Sequence, residues 1–304
     1  MMMKPNNDRD LAGYGASPPH PAWPQEARIA INFVLNFEEG GEQSPVLGDQ
    51  FAESYGGEFL PNPKPAGMRD FSMESIFEYG SRAGFWRIAK LFDAQNIPLT
   101  IFATGKALQL NPDVADYLKS GMHEVAGHGW RWIDYAEIPI EVEREHIKKT
   151  ISIIESQTGS RPIGWYTGRR SENTRDLLCE IGGFKYDSES YADDLPYYVE
   201  VNQNQHLVIP YTLDTNDFRF VTNPGFSSSE DFFIHLRDSF DFLYEEGHSS
   251  PKMMNIGLHC RITGRPARAQ ALSKFLEHIA QYEAVWICRR DEIALHWLDI
   301  HPPA

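Results

Sequence analysis

Residues 27–42 read ARIAINFVLNFEEGGE. From Ile29 to Phe37 the run is largely apolar, and it stops abruptly at Glu38 and Glu39 and two glycines. A strand with one wet face would alternate polar and apolar residues. A run without alternation marks a strand covered on both faces, the kind found in parallel sheets sheathed by helices.

Working outward, GFWRIAKLFDAQN (84–96) carries helical periodicity and stops before Pro98, and PLTIFATG (98–105) then reads as a strand. A helix near 111–120 leads to HEVAGHG, a short strand ending at His128. The alternation continues with a helix around 140–157, the strand PIGWYTG (162–168), a helix near 172–181 and extended segments at 184–188 and 206–212. It closes with a helix near 230–246, the strand MMNIGLHC (253–260), a helix near 267–281, AVWIC (284–288) and a last helix. Strands alternating with helices of about three turns make parallel βαβ units, and this many in one chain predict an α/β fold closed as a (β/α)7-8 barrel. A doubly wound open sheet is the structural alternative.

Two segments fall outside the alternation. Residues 1–27 carry Pro18, Pro19, Pro21 and Pro24 with little periodicity and read as an extended arm over the body or a neighbouring subunit, leaving 28–304 as a single barrel domain. Residues 44–72 form an irregular insertion rich in Gly and Pro, longer than an ordinary connector and so a candidate lid or subunit contact.

Bulk composition narrows the function. The 304 residues are 41% hydrophobic and carry a formal net charge of −15. Such a chain folds around a full core and does not suit nucleic acid or an anionic membrane surface, both of which reward clustered Lys and Arg. No stretch is long and apolar enough for a membrane span, and the N-terminus lacks the apolar core of a secretory signal. Cys179, Cys260 and Cys288 are too scattered for a disulfide framework and read as reduced thiols of a cytoplasmic protein.

In a parallel barrel the working residues project from the C-terminal ends of the strands. Glu38 and Glu39 follow the first strand, His128 the third, and Trp165, Tyr166 and Arg169 the fourth. His259 ends a late strand. Adjacent acids can serve as a general base and its partner, although neighbours on an extended chain point in different directions, and a solvated acidic turn is the alternative. His146, His235, His278 and His296 lie in predicted helices and His20 and His301 in the tails, where packing or surface roles are expected. Cys260 beside His259 is geometrically poor as a nucleophile–base pair, because strand neighbours face opposite sides.

These residues resemble the motifs of the polysaccharide-deacetylase family over roughly 28–298. NFEEG (36–40) is similar to the family's first motif, TFDDG, and the match puts Glu38 in the place of the catalytic base and Glu39 in that of the metal-binding aspartate. HGWRW (128–132) resembles the second, with His128 kept and Trp132 where a second ligand histidine belongs. RPIGWYTGR (161–169) resembles the third, YDSESYADDLPYY (186–198) the fourth, and NIGLHC (255–260) the last, placing His259 as general acid or oxyanion partner. The resemblance implies a distorted barrel of the polysaccharide-deacetylase type. Trp132 is the informative departure. An indole N–H only donates, so it cannot replace an imidazole ligand, and a site left with Glu39 and His128 would need Asp134 or His259 to move in. The expectation is no metal and no cofactor.

Longer stretches, among them DLAGYG, SMESIFEYGSRAGFWR (72–87), GWYTGR (164–169), IPYTLDTND (209–217) and GLHCRITGRPAR (257–268), are similar to one branch of that family, the deacetylase-like allantoinases. That likeness implies a small cyclic ureide as substrate, opened from allantoin to allantoate in purine breakdown by a homo-oligomer, a tetramer. In this reading Glu38 is the base, His259 serves the oxyanion, and Glu39 and His128 organise the site. Arg169, Asn216 and Asp217 bind ring amides, while Trp132 and Trp165 form flat walls with Tyr166 nearby. The competing readings are a hydrolase of another cyclic imide, a metal-dependent N-deacetylase of chitin-like or peptidoglycan sugars, and an inactive carbohydrate-binding relative.

Overall fold

All of β1 (Ile29–Phe37) is buried, as its unbroken apolar run requires. The computed structural model describes residues 9–59 and 61–303, so the first eight residues of the predicted arm, Leu60 of the insertion and Ala304 lie outside it. On one edge β1 pairs in parallel with β8 (Lys252–His259) along almost its whole length. Its other edge is shared by β2 (Thr100–Ala103) near the C-terminal end and β9 (Val285–Ile287) near the N-terminal end. From β2 the parallel sheet continues through β3 (Glu124–Gly127), β4 (Gly164–Trp165) and β5 (Tyr186–Asp187). It ends in a hairpin of β6 (Tyr197–Val201) and β7 (Asn204–Val208), with β7 against β5.

The sheet curls as the distorted α/β barrel expected, and irregular backbone completes the gap between β8 and the hairpin side. The Met253 N–H donates to the Asp194 carbonyl at 3.1 Å and the Gly257 N–H to the Thr215 carbonyl at 3.0 Å. The second of these bonds brings residues 215–217 to the C-terminal end of β8, beside His259, and that placement matters for the site.

Helices sheathe the sheet: α1 (Phe71–Tyr79), α2 (Phe85–Asp93), α3 (Gly105–Leu110), α4 (Pro112–Leu118), α5 (Ile140–Thr158), α6 (Thr174–Ile181), α7 (Ser229–Glu246), α8 (Pro266–Ile279) and α9 (Arg290–Ile300). The main core forms where Ile31, Phe33 and Leu35 of β1 meet Phe92 of α2 and Phe275 of α8. The arm packs on the body over its described part: Trp23 is buried and its indole N–H donates to the Lys252 carbonyl at 3.1 Å. Among the described residues, no helix is long and apolar enough to cross a membrane.

Candidate active site

The C-terminal ends of β1, β3 and β8 converge on a cavity of about 170 Å³, lined by Glu38, His128, His259, Trp132, Tyr166, Arg169 and Asn216 among others. Glu38 is 1% exposed and both its oxygens are engaged. Oε1 lies 3.1 Å from His128 Nε2 and 3.7 Å from His259 Nε2, and Oε2 accepts from Arg261 Nη1 at 2.6 Å. Burial raises the carboxyl's proton affinity, but the Arg261 guanidinium, His259 and the His128 bond outweigh it and hold Glu38 well below the ordinary carboxylate range. His128 Nδ1–H donates to the Tyr166 carbonyl at 2.6 Å, which fixes the ring with Nε2 facing Glu38 Oε1.

His259 has its own partner. Asp217 is wholly buried; its Oδ1 accepts from His259 Nδ1–H at 2.7 Å. Asp217 Oδ2 takes the backbone N–H of His259 and both donors of Thr263. The imidazole is thereby fixed with Nε2 toward the cavity. Asp217 touches the ring from behind and does not line the cavity, so it positions His259 and does not bind substrate.

Two further expectations need correction. Glu39 turns away from the cavity and lines a neighbouring groove with Glu42 and Phe77; its Oε2 accepts the Glu38 N–H at 3.0 Å, and its Oε1, 3.8 Å from Arg261 Nη1, has no hydrogen-bond partner among the described residues. Burial, opposed by Arg261 and reinforced by Glu38, pushes its carboxyl up to about 7. Trp165 is no cavity wall. Strand neighbours face opposite sides, so Tyr166 points into the barrel while Trp165 packs among Ile147, Ile151, Leu177 and Leu178 under α5 and α6.

The remaining predicted residues do meet. Arg169 lies 3.9 Å over the Trp132 ring and pairs at 3.2 Å with the buried carboxylate of Glu53, a residue of the 44–72 insertion. Tyr166 stacks on His128 and its hydroxyl is 2.8 Å from that of Tyr191. His146, His235, His278 and His296 make local bonds and do not line the cavity, and the Cys260 thiol donates to the Asn36 carbonyl.

Sequence reasoning missed Arg261, Tyr211, Asn36, Tyr55 and Phe218. Asn36 was within reach, since it lies two residues before Glu38 on the same strand face. Tyr55 carries no such signal, because the insertion has no period. Arg261 lies just past β8, where strand alternation no longer says which way a side chain points.

The donor set does not fit a divalent ion. The Trp132 indole offers no lone pair, Glu39 faces another groove, Asp134 caps a short helix at Ala136, and a guanidinium already occupies Oε2 of Glu38. Among the described residues no group of three or more His, Cys, Asp or Glu side chains is arranged to hold a metal.

A curled parallel sheet with an acid and two histidines at its C-terminal strand ends defines a barrel hydrolase of the deacetylase kind. Residues 68–182 match the family described as polysaccharide deacetylase. A putative polysaccharide deacetylase of Schizosaccharomyces pombe is 44% identical over 97% of this chain and 98% of its own length. This chain belongs to the polysaccharide deacetylase family. The crystal structure of Puue allantoinase superposes with TM-score 0.94 at 53% identity, covering 99% of each chain. A probable polysaccharide deacetylase from Pseudomonas aeruginosa PAO1 superposes equally, TM-score 0.94 at 52% identity, over 97% of this chain and 99% of that one.

Proposed function

We propose that this hydrolase opens a cyclic ureide, allantoin, to allantoate without a metal, as a cytoplasmic homo-oligomer in purine breakdown. The observation that carries the reading is the replacement of a metal-ligand set by Trp132 and the Glu38–Arg261 pair beside a small cavity. At about 170 Å³ it falls below the ~300–1,000 Å³ typical of larger ligand pockets, which suits a single small ring better than a sugar polymer. Likeness to the allantoinase structure supports the substrate, and free thiols at Cys179, Cys260 and Cys288 support a reducing compartment.

In the proposed step a water between Glu38 Oε1 and His259 Nε2 adds to a ring carbonyl. Glu38 takes its proton, the tetrahedral oxyanion collapses, the ring C–N bond breaks, and the proton held by Glu38 passes through His259 Nε2, 3.7 Å away, to the departing nitrogen. Held so far down, Glu38 is a weak base. An imide-like ring carbonyl, poorer in electrons than an acetamide, needs less activation and matches it.

The test is direct: ring opening of allantoin, hydantoin, dihydrouracil and succinimide is followed beside acetate release from chitin oligomers, before and after chelation. Ring opening that survives chelation is expected. Acetate release that chelation abolishes and zinc restores would instead establish a sugar deacetylase.

A further inference from the structure

Tyr211 follows β7 on the segment that crosses the mouth of the barrel, and it is 4% exposed. Its ring packs against Phe102 and Tyr166, while the residue itself lines the cavity that holds Glu38 and His259. The hydroxyl receives two amide donors, Asn36 Nδ2 at 3.0 Å and Asn216 Nδ2 at 3.4 Å.

The direction of both bonds is fixed by the amides' other partners. Asn36 Nδ2 also donates to the Leu258 carbonyl at 3.0 Å, which can only accept. Asn216 Nδ2 donates to the Thr212 carbonyl at 3.0 Å, and its Oδ1 accepts the Phe218 N–H at 2.9 Å. Neither amide can be reversed without setting like against like.

A phenol has one proton and two acceptor positions. With both acceptor positions taken, the Tyr211 hydroxyl can only donate, and no acceptor among the described residues receives its proton. The strand opposite is shaped for this arrangement: a Cβ at Gly257 would stand 2.5 Å from Tyr211 Oη and 2.2 Å from Asn216 Nδ2, so only glycine lets the cluster seat against β8. Burial pushes the phenol's pKa further above its ordinary value, and the proton stays on.

We propose that Tyr211 is a catalytic residue whose hydroxyl donates to the substrate carbonyl oxygen and stabilises the oxyanion formed when water adds. The proposal rests on the carbonyl hydrolysis put forward above and names the group that supplies its electrostatic stabilisation. A buried donor already aimed by two amides needs no reorganisation as charge develops. As the carbonyl carbon becomes tetrahedral its oxygen gains negative charge, and the neutral O–H···O=C bond becomes a stronger charge-assisted one.

The test is Tyr211→Phe, measured beside the wild type on allantoin and on N-acetylglucosamine oligomers, with kcat and KM resolved on whichever the wild type hydrolyses. Both reactions pass through an oxyanion, so the test reads on either. Phe keeps the ring packing, but one N–H of each amide loses its acceptor while the other keeps its carbonyl, so the melting temperature should fall by a few degrees without loss of the fold. The expected result is a kcat lower by about 10²–10³-fold with KM within about threefold. A kcat within threefold of wild type, a loss confined to KM, or a kcat loss matched by a large drop in melting temperature would each overturn the assignment. The wild-type substrate panel tests the proposed function separately: ring opening unaffected by Tyr211→Phe keeps that reading and removes this one. A wild type that hydrolyses neither class removes both.

Discussion

Replacing Glu38 by Gln keeps the side chain's shape and removes its charge, whereas the same change at Glu39 touches a carboxyl that burial already holds near neutrality. Glu38→Gln should lower kcat by ~10²-fold or more, the usual scale for losing a general base. Glu39→Gln should keep kcat within about tenfold, because that carboxyl lies outside the cavity; a collapse of its activity, measured in the same assay, would return Glu39 to the machinery. Stability moves differently. With its pKa raised from 4.5 to about 7, folded Glu39 holds a proton that the unfolded chain has released. Its contribution is therefore complete below about pH 4.5 and lost as pH rises to about 7, on the order of 3 kcal/mol in all. Thermal melts from pH 5 to 8 should show Glu39→Gln gaining on the wild type as pH rises; a constant difference would contradict this. Residue chemistry at strand ends was legible because βαβ periodicity places those ends. What the motif could not tell is that EE splits between two cavities, since that depends on the local path of the chain after Phe37.

The insertion 44–72 shows the limit of reading elements from pattern. It has no period, yet it roofs the site through backbone and ion-pair contacts. Glu53 Oε1 accepts the N–H groups of Ser54 and Tyr55, its Oε2 takes Arg169, and the Gly56 carbonyl accepts from Arg261 Nε at 3.0 Å. Arg261 thus joins the roof to Glu38. Gly56 has φ +76°, and a Cβ there would lie 2.8 Å from Phe218 Cζ and 3.0 Å from both Arg261 Nη2 and Trp132 Cη2. Gly56→Ala should loosen the roof, with kcat/KM down by about tenfold or more and faster proteolysis within 44–72. Unchanged kinetics would show that the roof is not part of the site. Trp165 gives the contrasting element-scale case: Trp165→Ala should cost ~3–5 kcal/mol in stability, read by denaturant unfolding, with KM unmoved. The β6–β7 hairpin escaped notice for a local reason. Asn202 and Gln203 both have positive φ at its turn, and Asn-Gln lacks the glycine that usually marks such a turn.

At the scale of the whole molecule, a chain carrying −15 repels its own copies, so any face that binds a second copy must be locally neutral. Around the insertion the acids are paired: Asp49 with Arg131, Glu53 with Arg169, Glu58 with Arg268 and Asp70 with Lys64. The same segment and the start of α1 expose Val46, Leu47, Phe51, Phe59, Met68 and Phe71. Neutrality together with exposed apolar side chains is the pattern of a surface that buries itself against a partner, and it supports the proposed homo-oligomer forming through this face. Charge elsewhere would keep the assembly soluble. Sedimentation should show the wild type as a multimer, more stable in moderate salt as the repulsion is screened. Phe51→Glu with Phe59→Glu should yield smaller species, because the like charges it places on the face would be costly to bury. Because the roof over the cavity belongs to that face, the dissociated variant should also show a raised KM. A monomeric wild type at micromolar concentration, or a double variant that assembles as before, would remove the insertion from any role in assembly.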